Sequence, residues 1–329
     1  MSRKNFIVGM NIHNRGYATY PEDTLERNLD YCEQMGINLI NFNSVADNEE
    51  GYAYIKSVAD AVHRRGMKFS LCVDDRRCFD METDTIEEID YNHQKKMCEY
   101  LKGCIDIYEV GPEFDVPAMH TAMGDVYNLT GAKYDGMVPE EYDPVRLERT
   151  IPSVRGRLKA IKEVDPDAKT MVAFAWWHTY YVENLWNNGC RWDIMGVDWY
   201  SDAEKASSFL DLLDWLKDHF GDMPVLICET NFWGYNYKDL TPDEGDAKQA
   251  EWVCQFCEHL FRDTPERCLG LIYYEMMDEP GFDDQNGGFH GEAHFGFVKC
   301  DRNGYNPQPK PSVKALGETV NKLMKELED

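Results

Sequence analysis

Positive charge is scarce in this chain: Lys and Arg number 34 against 60 Asp and Glu, a formal net charge of −26. So acidic a surface repels phosphate backbones and anionic headgroups, which excludes nucleic acid and membrane as general partners and suits a neutral substrate. Long apolar runs are missing too, and no stretch approaches the roughly 18 residues that a membrane helix needs. The opening MSRKNFIVGMNIHN gives way to Asn11 and His13 after a short apolar run, so it reads as a first strand and not as a signal peptide. No G-x-G-x-x-G turn and no Walker-type loop occurs, which removes the usual phosphate cradles. Eleven cysteines, an odd number scattered through strand and helix patterns, fit the reduced thiols of a cytoplasmic protein better than a disulfide framework. Cys254-x-x-Cys257 has a metal-like spacing, but it sits inside the helical run AEWVCQFCEHLF with no second pair nearby. It reads as helix packing, and no metal or cofactor is expected.

What the chain does have is alternation. Short runs rich in Val, Ile, Phe and Tyr are followed by longer amphipathic stretches, the pattern of βα units on a parallel sheet. Strands are expected near residues 5–11, 37–42, 67–73, 104–110, 169–175, 193–199, 224–229 and 268–275. Helices are expected near 22–35, 51–65, 87–102, 144–163, 180–188, 203–219, 246–262 and 310–327. Eight such units in 329 residues close most naturally into one (β/α)8 TIM barrel, a single catalytic domain spanning 1–329. The connections Phe114 to Asp143 and Met276 to Pro309 are long, and they carry Tyr127, Tyr134, Tyr142, Phe282, Phe289, His290 and His294. Such loops read as walls of a pocket.

Two strands end alike. CIDIYEVGPEFD stops at a Gly-Pro turn followed by Glu113, and PVLICET ends on Glu229. In a parallel barrel both glutamates stand on the same rim, where two carboxylates can face each other across a pocket. The other residues just past the strands are Asn11 and His13, Asn41 and Asn43, Asp74 to Arg76, Asp115, Trp176 to His178, Asp198 to Tyr200, Asn231, Trp233, Tyr274, Glu275 and Asp278. Aromatic faces cover the C–H faces of a pyranose, and amides and carboxylates bond its hydroxyls. The expected substrate contacts are Asn11, His13, Asn43, Asp74, Trp176, Trp177, His178, Trp199, Tyr200, Asn231, Trp233, Tyr274 and Glu275. One of Trp176 and Trp177 can equally be core, because adjacent strand residues face opposite sides, and His178 can equally cap the following helix.

These motifs resemble those of the clan A glycoside hydrolases, over nearly the full length. VGPEFD is similar to the clan's acid/base motif with Glu113 in register, ICETNFWG to its nucleophile strand with Glu229, and DIMGVDWYSD to a sixth strand that sets an aromatic, Tyr200, near the nucleophile. LIYYEMMDEP resembles the eighth-strand motif, with Tyr274 at the usual place of a Trp, and HFGFVKCDRNGYNPQPKPSVKAL resembles the closing segment. The resemblance implies a retaining enzyme in which Glu229 attacks the anomeric carbon and Glu113 acts as acid/base, their carboxyls about 5 to 5.5 Å apart. It also implies that Asn231, Tyr200 or a neighbour holds Glu229 in place. There are two departures: Pro112 stands where an Asn normally bonds the sugar 2-hydroxyl, and no clear arginine follows strand two. Several families of the clan are close in style, and none is assigned.

Two alternatives use the same rim. A metal-dependent barrel isomerase or lyase would also set Glu, Asp and His at strand ends, and Pro112 leaves room for a carbohydrate-binding pseudoenzyme. The expected partner in the hydrolase reading is a short oligosaccharide or glycoside, attacked at a chain end behind the two long loops.

Overall fold

The computed structural model describes residues 3–13, 22–44, 48–73, 75–119, 135–200, 206–232, 240–281, 283, 291–302 and 304–327. Eight parallel strands close on themselves in sequence order: β1 (Ile7–His13), β2 (Leu39–Ser44), β3 (Lys68–Val73), β4 (Ile107–Val110), β5 (Lys169–Ala175), β6 (Ile194–Asp198), β7 (Val225–Thr230) and β8 (Cys268–Tyr273). The helices that follow them are α1 (Glu22–Met35), α2 (Glu49–Arg64), α3 (Thr83–Leu101), α4 (Pro144–Val164), α5 (Thr179–Asn187), α6 (Ala206–Phe220), α7 (Pro242–Asp263) and α8 (Pro311–Lys325). This is the (β/α)8 barrel that the alternation foretold. After β8 the chain makes a short antiparallel pair, β9 (Val298–Lys299) with β10 (Gln308–Pro309), before entering α8.

The period of two in each strand sorts the side chains. Val8, Met10, Phe42, Phe69, Leu71, Tyr108, Val172, Phe174, Val197 and Ile227 point outward and join the helices in one apolar layer. Their neighbours Ile7, Leu39, Ile107, Met171, Ile194, Leu226, Cys228 and Ile272 point inward and plug the barrel. Higher in the barrel the inward set turns polar, with Asn11, Asn41, Ser70, Glu109 and Asp198 all buried. The apolar plug carries stability, and the polar tier above it forms the floor of the site. None of the eleven cysteines forms a disulfide, and nine of them are buried, with Cys257 of the C-x-x-C pair packed inside α7. Among the described residues no helix is long and apolar enough to cross a membrane.

Candidate active site

Four rim amides extend the barrel ladder past the strands: Trp176 N–H donates to the Asp198 carbonyl, Trp199 to Glu229, Tyr274 to Thr230 and Met276 to Asn11. The rim is therefore rigid from β5 round to β1, and side chains carried on it are fixed in place.

Glu113 leaves β4 through a tight reversal. Gly111 has φ +64°, and Glu113 itself has φ +44°, a left-handed backbone that costs a non-glycine residue about 1 kcal/mol or more. The next two residues hold it there. Phe114 is fully buried, with its ring set edge-on to Phe79 at 5.5 Å and the Arg157 guanidinium 5.5 Å from its centroid. Asp115, also fully buried, accepts the Ala175 N–H at 3.1 Å and bonds His178 Nδ1. With both neighbours anchored, the backbone turns the half-buried Glu113 side chain away from them. Burial first, and then the charge of Asp115, raise the Glu113 carboxyl to about 7, opposed by Arg76 and His178 and reinforced by Glu292.

Glu229 reaches its position by an irregularity in β7. Cys228 belongs to the inward plug, so simple alternation would turn Glu229 toward the helices. The ladder shifts register on both sides, between Val197 and Asp198 on β6 and between Ile227 and Thr230 on β7, and this bulge re-aims the side chain. Glu229 Oε2 then accepts the Tyr200 hydroxyl at 3.2 Å. The Tyr200 ring is stacked 5.8 Å from Phe295 at 19°.

Asp198, at the end of β6, is buried, with Oδ1 accepting the Cys228 thiol at 3.0 Å. Burial, followed by the negative charges of Glu229, Glu113 and Glu109, pushes Asp198 well above the ordinary carboxylate range. One side chain feels three other carboxyls, from β4, the turn after it and β7, so these groups crowd one site. The floor is completed by Asn41 donating to Glu109 Oε2 and Asn11 donating to Asn43 Oδ1, each at 3.1 Å.

Of the other residues expected here, Trp176 lies on the rim with φ +51° and stacks at 4.4 Å on Trp199, which is fully buried against Phe209. Trp177 is half-buried, while Tyr274 and Glu275 are buried and joined by a cis peptide. Asn231 is fully buried and turned to the back of the site: its amide nitrogen bonds the Tyr274 carbonyl and donates to Phe295 O at 2.7 Å, while its oxygen accepts from Gln249 at 3.2 Å. Asn231 thus fastens the segment whose Phe295 backs Tyr200. Asp74, Trp233 and the side chain of His13 lie outside the described residues, as do Tyr127, Tyr134, Phe282, Phe289 and His290 of the long loops.

The sequence reading did not single out Glu109, Gln249, Phe295 or Glu292. Glu109 had a signal, a charge on the inward phase of a buried strand. Gln249 had none, being one polar residue in a long helix that buries its amide under the β8 loop.

No protein-family model and no curated protein matches this chain. Solved structures do match in fold. The chain is similar to the β-glycosidase BGL167 at 12% identity and TM-score 0.70, covering 98% of this chain and 97% of that one. It is similar to the β-glucosidase from Thermotoga maritima in complex with deoxynojirimycin, at 11% identity and TM-score 0.69 over 97% and 98% of the two chains. The xylanase 10B from Thermotoga petrophila RKU-1 in complex with xylobiose matches at 14% identity and TM-score 0.66 over 98% and 96%. At such identities the likeness is one of fold: the chain shares the closed eight-stranded barrel over nearly its full length.

Proposed function

We propose that this protein is a retaining glycoside hydrolase acting on O-glycosidic bonds of short oligosaccharides or glycosides. The observation that carries the reading is the contrast between two rim carboxyls: Glu113, whose burial and neighbours keep it protonated up to about pH 7, and Glu229, set beside a phenol donor. An acid that still holds its proton near neutrality and a carboxylate placed to attack are the two parts that double displacement requires. Glu229 attacks the anomeric carbon as Glu113 delivers its proton to the leaving oxygen. Glu113, now ionised, removes a proton from water, which displaces Glu229 and leaves the anomeric configuration as it began. Tyr200 holds Glu229 in line, and the polar floor with Trp176 and Trp177 receives the sugar. The fold likeness to glycosidases supports this reading, and eleven cysteines outside any disulfide favour a reducing, cytoplasmic setting.

Pro112 gives the reading a specific consequence. It has no N–H and no side-chain amide, so contact to the substituent at sugar C2 must come from other groups. A panel of 4-nitrophenyl glycosides differing at C2, C4 and C6, with the first-formed anomer followed by proton NMR, tests the proposal. Hydrolysis with retention is the expected result; no turnover across the panel, or inversion, contradicts it.

A further inference from the structure

We propose that Asp115 and His178 form a positioning pair for Glu113, an inference that rests on reading Glu113 as the acid/base. Asp115 sits two residues beyond Glu113 in a single helical turn (Asp115–Ala118) and is fully buried. Its Oδ2 bonds both the Ala175 N–H at the end of β5 and His178 Nδ1, so one carboxylate ties the end of β4 to the end of β5. His178 is only 5% exposed. Gly136, at φ +72°, lies flat against its ring, where a Cβ would come within 2.6 Å of Cγ. Gly136 is itself pinned, because its carbonyl accepts from the Tyr142 hydroxyl at 2.9 Å and from the Tyr180 N–H at 3.2 Å. Both side chains of the pair are therefore buried, and Gly136 hems in the ring.

A neutral side chain could cap the Ala175 amide as well, and a buried polar pair gains little stability over an apolar one. Its placement gives it a use. The charged groups around Glu113 come from several elements: Arg76 after β3, Asp115 after β4, His178 after β5 and Glu292 after β8 act on it directly, and Asp198 on β6 feels both Glu113 and Glu229 of β7. Within that ring Asp115 favours the protonated form of Glu113 and His178 the ionised form, so the pair acts on the proton of Glu113 with two opposed levers. The nearby phenols of Tyr142 and Tyr181 are both raised, by burial first and then by Asp115, so they stay neutral and leave the balance to the pair.

The opposition makes the test selective. The whole protein is labelled with 13C at its glutamate carboxyls, the Glu113 signal is assigned by its loss in Glu113→Gln, and its titration is followed by NMR. The wild-type midpoint is expected near 7. Asp115→Asn should lower it by about one pH unit, and His178→Gln, which keeps a donor toward Asp115, should raise it, with the double variant in between. The alkaline limb of kcat/KM on an alkyl glycoside of the glycone that the aryl panel selects, whose leaving oxygen needs the proton, should move with each midpoint. A purely structural pair would lower the melting temperature and leave the midpoint in place, or shift it the same way in both variants, and either result overturns the inference. If Asp115→Asn does not fold, His178→Gln decides alone: an unchanged or lower midpoint refutes the pair. Because the titration is read on the carboxyl itself, midpoints that move as stated without turnover of any glycoside remove the hydrolase reading and leave the pair standing.

Discussion

Glu113→Gln should make the protein more stable above neutral pH while removing its acid. The unfolded carboxyl releases its proton near 4.5 and the folded one near 7. Below about pH 4.5 both states hold the proton and no penalty exists. As pH rises, the unfolded state ionises first, so the wild type loses stability progressively until the folded carboxyl also ionises, after which the loss is constant. At about 1.4 kcal/mol per pH unit, the full loss is at most about 3.5 kcal/mol, and roughly 2 once solvent near a half-buried carboxyl is allowed for. Glutamine keeps the shape and the left-handed backbone of Glu113, so the strain at φ +44° cancels in the comparison. Urea unfolding of both proteins at pH 5 and pH 8.5 measures the difference. The advantage of the variant should grow by about 1.5 kcal/mol between the two pH values, since part of the loss is already present at pH 5, as expected of a site that holds function at the expense of stability. An advantage independent of pH, or one that shrinks as pH rises, would refute the reasoning.

Glu229→Ala should abolish turnover of every ordinary substrate, with azide giving a glycosyl azide of inverted configuration. Glu113→Ala should lower kcat/KM by about 10²- to 10⁴-fold on poor leaving groups, spare activated aryl glycosides, and give the retained azide; product NMR distinguishes the two. Tyr200→Phe removes the 3.2 Å donor to Glu229 and should reduce kcat by roughly tenfold to a hundredfold with folding intact, read from kinetics beside circular dichroism. Lys310→Met should destabilise by about 3 kcal/mol in urea unfolding, because fully buried Lys310 is the cation shared by Asp278 at 2.8 Å and Asp246 at 3.4 Å, and because it also donates to the His294 carbonyl.

Much of the barrel was legible because alternation between periods of two and 3.6 is written in the residues themselves. β5 and α1 fall on the expected spans 169–175 and 22–35. Elsewhere local chemistry moved the ends. β4 begins at Ile107 and not at 104 because Gly103 turns at φ +74° and the Asp106 carboxylate takes the Phe69 N–H at 2.8 Å, displacing the ladder. α7 begins at Pro242, ahead of its apolar pattern, because Thr241 and Glu244 close a capping box. Glu113 and Glu229 were visible as strand ends, and Tyr200 does meet Glu229 as the resemblance implied. That Glu229 escapes the outward phase depends on a bulge, which no periodicity announces. The pairing of Asp115 with His178 required β4 and β5 to be neighbours first. Gln249 could only be found once α7 was packed beneath the loop carrying Phe295.

The central claim is that Glu229 becomes covalently linked to the sugar while Glu113 handles the proton. The most direct measurement is a covalent trap: incubation with a 2-deoxy-2-fluoro glycosyl fluoride carrying the glycone that the aryl panel selects, then peptide mass spectrometry. The fluorine slows both steps and the fluoride leaving group speeds the first, so the intermediate accumulates. The expected result is stoichiometric loss of activity with the added mass on the peptide containing Glu229, and no label in Glu229→Ala. A label on Glu113, Asp198 or any other carboxylate, or hydrolysis of the parent glycoside with inversion, would contradict it.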